Sequence, residues 1–304
     1  MIINSANIRT LEQHVRAVIL EGYNGEASGL LNRIAMTVSS MSAEERYTWL
    51  GAMPGMREFI GDRVIKNLSV SDWGVKNRKW EDTVGIPRES VERDTYGTYK
   101  PLLQEMGVVG RQQPDDLMWE LLVNGFTKLC YTGKPFFGAN HHQGVNGDKG
   151  KFTNFVTKKF SRANFRIGRQ NLLNRKNTEG RSMKLGRKLL LIVSPTYETE
   201  AWETVVADKL SNDANNPDKG KAELYVSTEL GALSEHAWFL LELGRNIKPL
   251  VFQDEVPFKI TTKFRDDDDN VFDRDEYVAG AYARNNVGYM LPELAYGSTG
   301  ATDA

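Results

Sequence analysis

Two segments, 64–75 and 79–86, read as strands separated only by the charged turn Lys76-Asn77-Arg78. Between them they carry Lys66, Asp72, Lys76, Arg78, Lys79, Glu81 and Asp82, with few large apolar side chains beyond Trp73 and Trp80. An isolated hairpin is marginal in water at best. One with so little apolar face has to lie against something else. The expectation is a charged arm, Lys66, Asp72, Trp73, Gly74, Lys76, Arg78, Lys79 and Trp80, made for docking on a neighbour. Gly61, Gly74 and Gly85 bracket or interrupt it and are expected to act as its bending points.

The rest of the chain offers room for two compact units, or for one large domain with protruding arms. A net charge of −1 over 304 residues predicts no overall attraction to nucleic acid or membrane. The single cysteine, Cys130, makes an intrachain disulfide impossible and fits a reducing compartment. Asn4, Asn7, Arg9, Glu12 and Arg16 interrupt every apolar run near Met1, so no signal peptide is read there. No stretch approaches the roughly 20 apolar residues of a membrane helix. The expectation is a soluble intracellular product.

Charge is placed unevenly. Residues 149–188 hold thirteen Lys or Arg against one acid, Glu179. The whole chain sums to −1 and this block to +12, so the remainder carries −13. Lys151, Lys158, Lys159, Arg162, Arg166 and Arg169 are candidates for contact with a polyanion or with an acidic neighbour. Phe152, Phe155, Phe160 and Phe165 interleave these cations, as where bases stack on aromatics, although Phe160 and Phe165 equally suit the core of a helix. The acidic counterpart is Asp266, Asp267, Asp268 and Asp269, a candidate interface. It fails the calcium-loop pattern, since Val271 stands where glycine is needed and Tyr277 where a bidentate Glu belongs.

Periodicity organises the chain. Leu11, Val15, Val18 and Ile19 share one helical face, which Gly22 and Gly25 are expected to end. Ser42 and Glu45 read as a capping box. From Val91 to Phe126 the apolar spacing is helical, and one kinked helix or two helices are equally allowed around Pro114. Further on come a helix over 162–176, a strand over 188–194, a helix over 198–210, and strands over 222–227 and 248–253. The stretch 276–298 alternates like a strand, and GSTGATDA reads as a frayed tail. Together these indicate an α+β architecture.

Candidate chemistry is thin. Cys130 with His141 or His142 invites a nucleophile reading, but a cysteine in KLCY is more often a small core residue. Adjacent histidines on an extended backbone point to opposite sides, so His141, His142 and Asp148 do not converge as metal ligands. Phosphate-loop, nucleophile-elbow, zincin and dinucleotide-binding motifs do not occur. No cofactor and no enzymatic activity are expected.

Five long ungapped stretches carry a resemblance. They are YTWLGAMPGMREFIGDRVIKNL, WEDTVGIPRESVERDTYGTYKPLLQEMG, PDDLMWELLVNGFTKLCYTGKPFFGANHH, KGKAELYVSTEL and NVFDRDEYVAGAYARNNVGYMLPELAYGS. Spread from residue 47 to 298, they resemble the major head subunits of Mu-like phages, capsid proteins of the Hong Kong 97-like fold. The resemblance implies an N-terminal arm over 1–46 and a peripheral domain over 47–161, with an extended loop at 57–87 and a single spine helix at 88–126. It further implies an axial domain over 162–275, and a C-terminal return to the peripheral domain with a tail over 276–304. It implies self-assembly into hexamers and pentamers of an icosahedral head around double-stranded DNA, in the virion, after assembly in the host bacterial cytoplasm. Implied partners are a portal, a separate scaffolding protein, a head maturation protease and a decoration protein, with no membrane. A family variant cross-links a loop lysine to an asparagine, parts that Lys66, Lys76, Lys79, Asn285 and Asn286 match by residue type alone. The second reading is an oligomeric nucleic-acid-binding protein using residues 149–188.

Overall fold

In the computed structural model, the residues described are 5–26, 29–47, 50, 73–93, 96–142, 150–177, 180–210, 212–265 and 267–302. Helix α1 (Ser5–Gly25) opens the chain, followed by a single turn, α2 (Leu31–Ile34), and three short strands, β1 (Ala35–Ser39), β2 (Glu44–Arg46) and β3 (Gly74–Lys76). Next come β4 (Arg78–Pro87), α3 (Arg88–Glu92) and the long helix α4 (Lys100–Asn124). Strands β5 (His141–His142), β6 (Lys151–Phe152) and β7 (Phe155–Lys158) lead to α5 (Arg162–Leu173), β8 (Leu189–Val193), α6 (Glu198–Val205) and β9 (Glu223–Val226). The chain finishes with β10 (Trp238–Glu242), β11 (Leu250–Lys263), α7 (Asp269–Arg274), β12 (Glu276–Tyr289) and β13 (Ala295–Thr302).

Two sheets organise these elements. One has the order β1-β11-β12-β4, built on the long antiparallel pair β11–β12, with β1 parallel to β11 and β4 antiparallel to β12. The other has the order β7-β13-β10-β8-β9. Its central strands read LLLIV and WFLLE and are buried along their whole length, as a strand covered on both faces must be. Helix α4, about 37 Å long at 1.5 Å per residue, joins separate cores. Leu103 and Met106 pack with Leu11, Val15, Val18 and Ile19 of α1 against the four-stranded sheet. Met118 and Leu122 reach a second core with Phe136, Phe137, Phe239 and Tyr289. A third core sets Phe160, Phe165 and Leu172 against Leu191, Trp238 and Leu240 of the five-stranded sheet.

Several expectations are corrected. Residues 64–72, most of the first strand of the expected hairpin, lie outside the described residues, and the described remainder of that strand is not paired with 79–86. β3 pairs with β2 in the register Glu44↔Lys76, Glu45↔Val75 and Arg46↔Gly74, while β4 is the edge strand of the four-stranded sheet. The Tyr47 N–H donates to the Trp73 carbonyl at 2.9 Å, extending the β2–β3 ladder. Gly74 and Gly85 lie inside these ladders, opposite Arg46 and Val278, rather than at bends. Gly61, Lys66 and Asp72 lie outside the described residues.

The spine is not one helix over 88–126. α3 and a 3-10 turn precede α4, which continues through Pro114 to Asn124. Helix α1 ends at Gly25 as expected, but Gly22 lies inside it, where α1 crosses α4, and its missing side chain lets the backbone of Gln104 approach. Ser42 and Glu45 do bond, at 3.0 Å, but the turn they close leads into β2 instead of a helix.

Sheet membership also departs from the expected boundaries. Within 162–275, β8 and β10 belong to the five-stranded sheet while β11 belongs to the four-stranded one. Within 276–304 the split recurs, β12 in one sheet and β13 in the other. The frayed tail is thus a buried strand as far as Ser298, because Gly297 lets the Phe137 ring lie directly on the backbone.

Candidate functional surfaces

The first surface is the β2–β3 ladder with the β4 strand beside it. Trp73 is half-buried and donates its indole N–H to the carbonyl of Tyr289 at 3.1 Å. Asn286 donates to the carbonyl of Lys76 at 2.7 Å, and Asn77 donates to Ser40 Oγ and the Ser42 carbonyl. Trp80 donates to the carbonyl of Asn285 at 3.3 Å, with the Arg78 guanidinium 4.5 Å over its ring. Lys76, Arg78 and Lys79 complete this edge. The tryptophans are therefore anchors within the subunit, which a sequence reading for exposed docking residues misses. Asn285 is buried and exchanges amide hydrogen bonds with Gln113.

The basic block does not present one face. Arg162 and Arg166 both reach Asp218, Arg166 through a 2.6 Å ion pair and Arg162 at 3.8 Å, and Arg162 also donates to the Glu203 carbonyl. Arg169 is half-buried. Arg175 is buried with its guanidinium 4.0 Å over the Phe152 ring, and burial lowers its pKa to about 10. Lys151 and Lys158 are exposed on β6 and β7, and Lys159 is half-buried at the end of β7. Phe152, Phe160 and Phe165 are buried, and Phe155 packs on the central core. The interleaved aromatics are core residues, so the stacking platform anticipated for single-stranded nucleic acid is corrected.

At the turn between β11 and β12, Asp268 accepts the backbone N–H of Arg265 at 2.9 Å and opens α7. Asp269 lies in the first turn of α7, where a negative charge suits the helix dipole. Asp267 and Asp269 are exposed, as is Phe272 at 89%. Asp266 lies outside the described residues.

Cys130 is a core thiol, 2% exposed, whose pKa burial pushes up. It meets His141 only through Thr132, with Sγ 3.1 Å from Thr132 Oγ1 and Thr132 Oγ1 2.8 Å from His141 Nδ1. His141 is buried and His142 exposed, the alternation expected of an extended pair. Burial, chiefly, and the charge of Arg175 lower the His141 pKa to about 4. Neighbouring Glu293 is raised by burial and accepts the Tyr131 hydroxyl at 2.7 Å. A buried neutral thiol and a hard-to-protonate imidazole make a packed polar cluster rather than a nucleophile and its base.

With this geometry in place, comparisons with known proteins are informative. The family model described as Mu-like prophage major head subunit gpT matches residues 8–159 and 225–304. The major capsid protein of Escherichia phage Mu is 28% identical over 97% of this chain and 74% of its own length. The Mu-like prophage FluMu major head subunit of Haemophilus influenzae is 26% identical over 92% of this chain and 69% of its own. Among solved structures, the procapsid of bacteriophage JBD30 aligns at 27% identity over 97% of this chain and 76% of that one, with a TM-score of 0.63. Residues 160–224, from α5 through the start of β9, fall outside the family match.

Proposed function

The chain belongs to the Mu-like prophage major head subunit family, and from that premise we propose how it builds a head. It is a structural major capsid protein with a Hong Kong 97-like α+β fold and a component of the virion. The observation that carries this reading is the similarity to a procapsid subunit over nearly the whole chain.

In the proposal, copies assemble into hexamers and pentamers of an icosahedral shell in the host cytoplasm. A portal, a scaffolding protein, a maturation protease and a decoration protein would take part, and double-stranded DNA would fill the shell. The segment 57–87 is assigned to contact with an adjacent subunit. The exposed aspartates of the β11–β12 turn and the exposed Lys151 and Lys158 are assigned to contacts outside the subunit. Exposed ion pairs are worth about 0–1 kcal/mol each, so single contacts reverse easily while a closed shell gains from their number. Sedimentation of the expressed chain tests this. Megadalton particles, well above the 34.3 kDa subunit, are expected; a single small oligomer, with or without the neighbouring gene products, would overturn it.

A further inference from the structure

The segment 182–188 and the turn 243–248 come together to wall a cavity of about 440 Å³, lined in part by Lys184, Arg187, Glu242, Arg245 and Asn246. The walls are rigid for a reason visible in the backbone. Glu242 is 1% exposed, and its carboxylate accepts the N–H groups of Gly186, Gly244 and Lys188, the last two at 2.7 and 3.4 Å. Gly186 has φ +90°, a conformation glycine adopts freely. Arg245 donates to the Met183 carbonyl at 2.8 Å, tying one wall to the other. Lys248 donates to the Leu243 carbonyl at 2.6 Å.

The charge balance around this cavity is lopsided. Glu242 is the one acid lining it, and its carboxylate is taken up by backbone N–H groups inside the wall. Lys184, Arg187 and Lys188 are exposed, and among the described residues no carboxylate lies within 4.0 Å of their charged groups. Burial, and then the like charge of Lys188, hold the Lys248 ammonium below its ordinary value. Like charges gathered on a fixed, concave surface create a positive potential that a polyanion relieves. This contrasts with Arg162 and Arg166, whose charge Asp218 already meets.

We propose that this cavity, lined by Lys184 and Arg187 and followed in the chain by the exposed Lys188, is a binding site for the phosphate backbone of duplex nucleic acid. The 182–188 wall lies in residues 160–224, outside the family match. The proposal rests on the head-subunit reading only for where the nucleic acid is met. Binding is measured on the unassembled subunit and shell formation separately, so either can fail alone.

The test uses the full-length chain, fluorescently labelled 25-bp duplex DNA and a salt titration. The triple variant K184E/R187E/K188E is compared with K100E/K128E/K134E, an equal charge change on exposed lysines elsewhere. Circular dichroism checks that both fold, and K184Q/R187Q/K188Q replaces the first if it does not. Expected are wild-type binding that weakens with salt, at least a tenfold loss in the cavity variant at 0.1 M salt, and a log–log salt slope shallower by about 3, from roughly 0.9 per phosphate contact. The control should stay within threefold. Inorganic polyphosphate should displace the duplex, whereas a peptide copying 264–277 should not. Equal losses in the two variants, absence of wild-type binding at low salt, or displacement by the acidic peptide would each overturn the proposal.

Discussion

Gly22 and Gly107 mark the crossing of α1 and α4: a Cβ on Gly107 would stand 3.1 Å from the Gly22 carbonyl carbon and 2.6 Å from the Tyr23 nitrogen. Neither contact is with a side chain that can swing away. The two helices are held backbone to backbone, and the Tyr23–Phe258 stack, 4.5 Å between centroids, fixes the angle against β11.

Gly107→Ala should therefore cost about 1–3 kcal/mol, the usual range for overpacking a fitted interface. Gly25→Ala, where a Cβ meets nothing within 4 Å, should be neutral or slightly stabilising. Thermal denaturation of the two variants decides it; equal melting temperatures would mean that the helices part easily.

The β2–β3 ladder predicts a disulfide. In a Cys130→Ala background, Glu44→Cys with Lys76→Cys places two directly paired positions at the 4.5–5.5 Å Cα spacing of an antiparallel pair, within disulfide reach. Lys76→Cys with Lys79→Cys, residues in β3 and β4 that are paired to different strands, should stay reduced. Mass spectrometry after mild oxidation distinguishes the two, and the reverse outcome would restore the hairpin.

His141 gives a pH dependence with a definite sign. Its folded pKa of about 4 lies below the ordinary 6.5. As pH falls through about 6.5 the unfolded chain takes up a proton that the folded chain refuses until about 4. Stability is therefore lost across that window and levels off below it. The shift corresponds to about 3 kcal/mol at most. Urea denaturation of wild type and His141→Phe at pH 7.5 and 4.5 isolates this part; identical pH responses would show that His141 titrates normally.

Glu242→Gln keeps the shape but replaces a carboxylate that accepts three backbone N–H groups with an amide that turns one donor towards them. A loss of about 1.5–3 kcal/mol is expected, the range for hydrogen bonds to a charged group. Amide exchange at Gly186 and Gly244 should quicken. Unchanged exchange would mean that the carboxylate does not organise these loops.

What the sequence made legible was local. The face of α1, the LLLIV strand and the helix begun at Arg162 follow from spacing, while the Ser161 cap that accepts the Asn164 N–H was not read. Long-range pairing was not legible. Nothing in the alternation of residues 78–87 says that their partner is β12, far along the chain, rather than a strand across a nearby turn. Small residues misled in the same way: GST in the last strand looks polar and loose until Phe137 is seen lying on Gly297. The basic block was legible as charge but not as geometry, since only the fold brings Asp218 to Arg166 and buries Arg175 under Phe152.

The most direct measurement is electron microscopy of the expressed chain, alone and with its neighbouring gene products, with symmetry determined from the images. Closed shells, tubes or capsomer rings with five- and six-fold centres are expected. A uniform small oligomer under both conditions would contradict it.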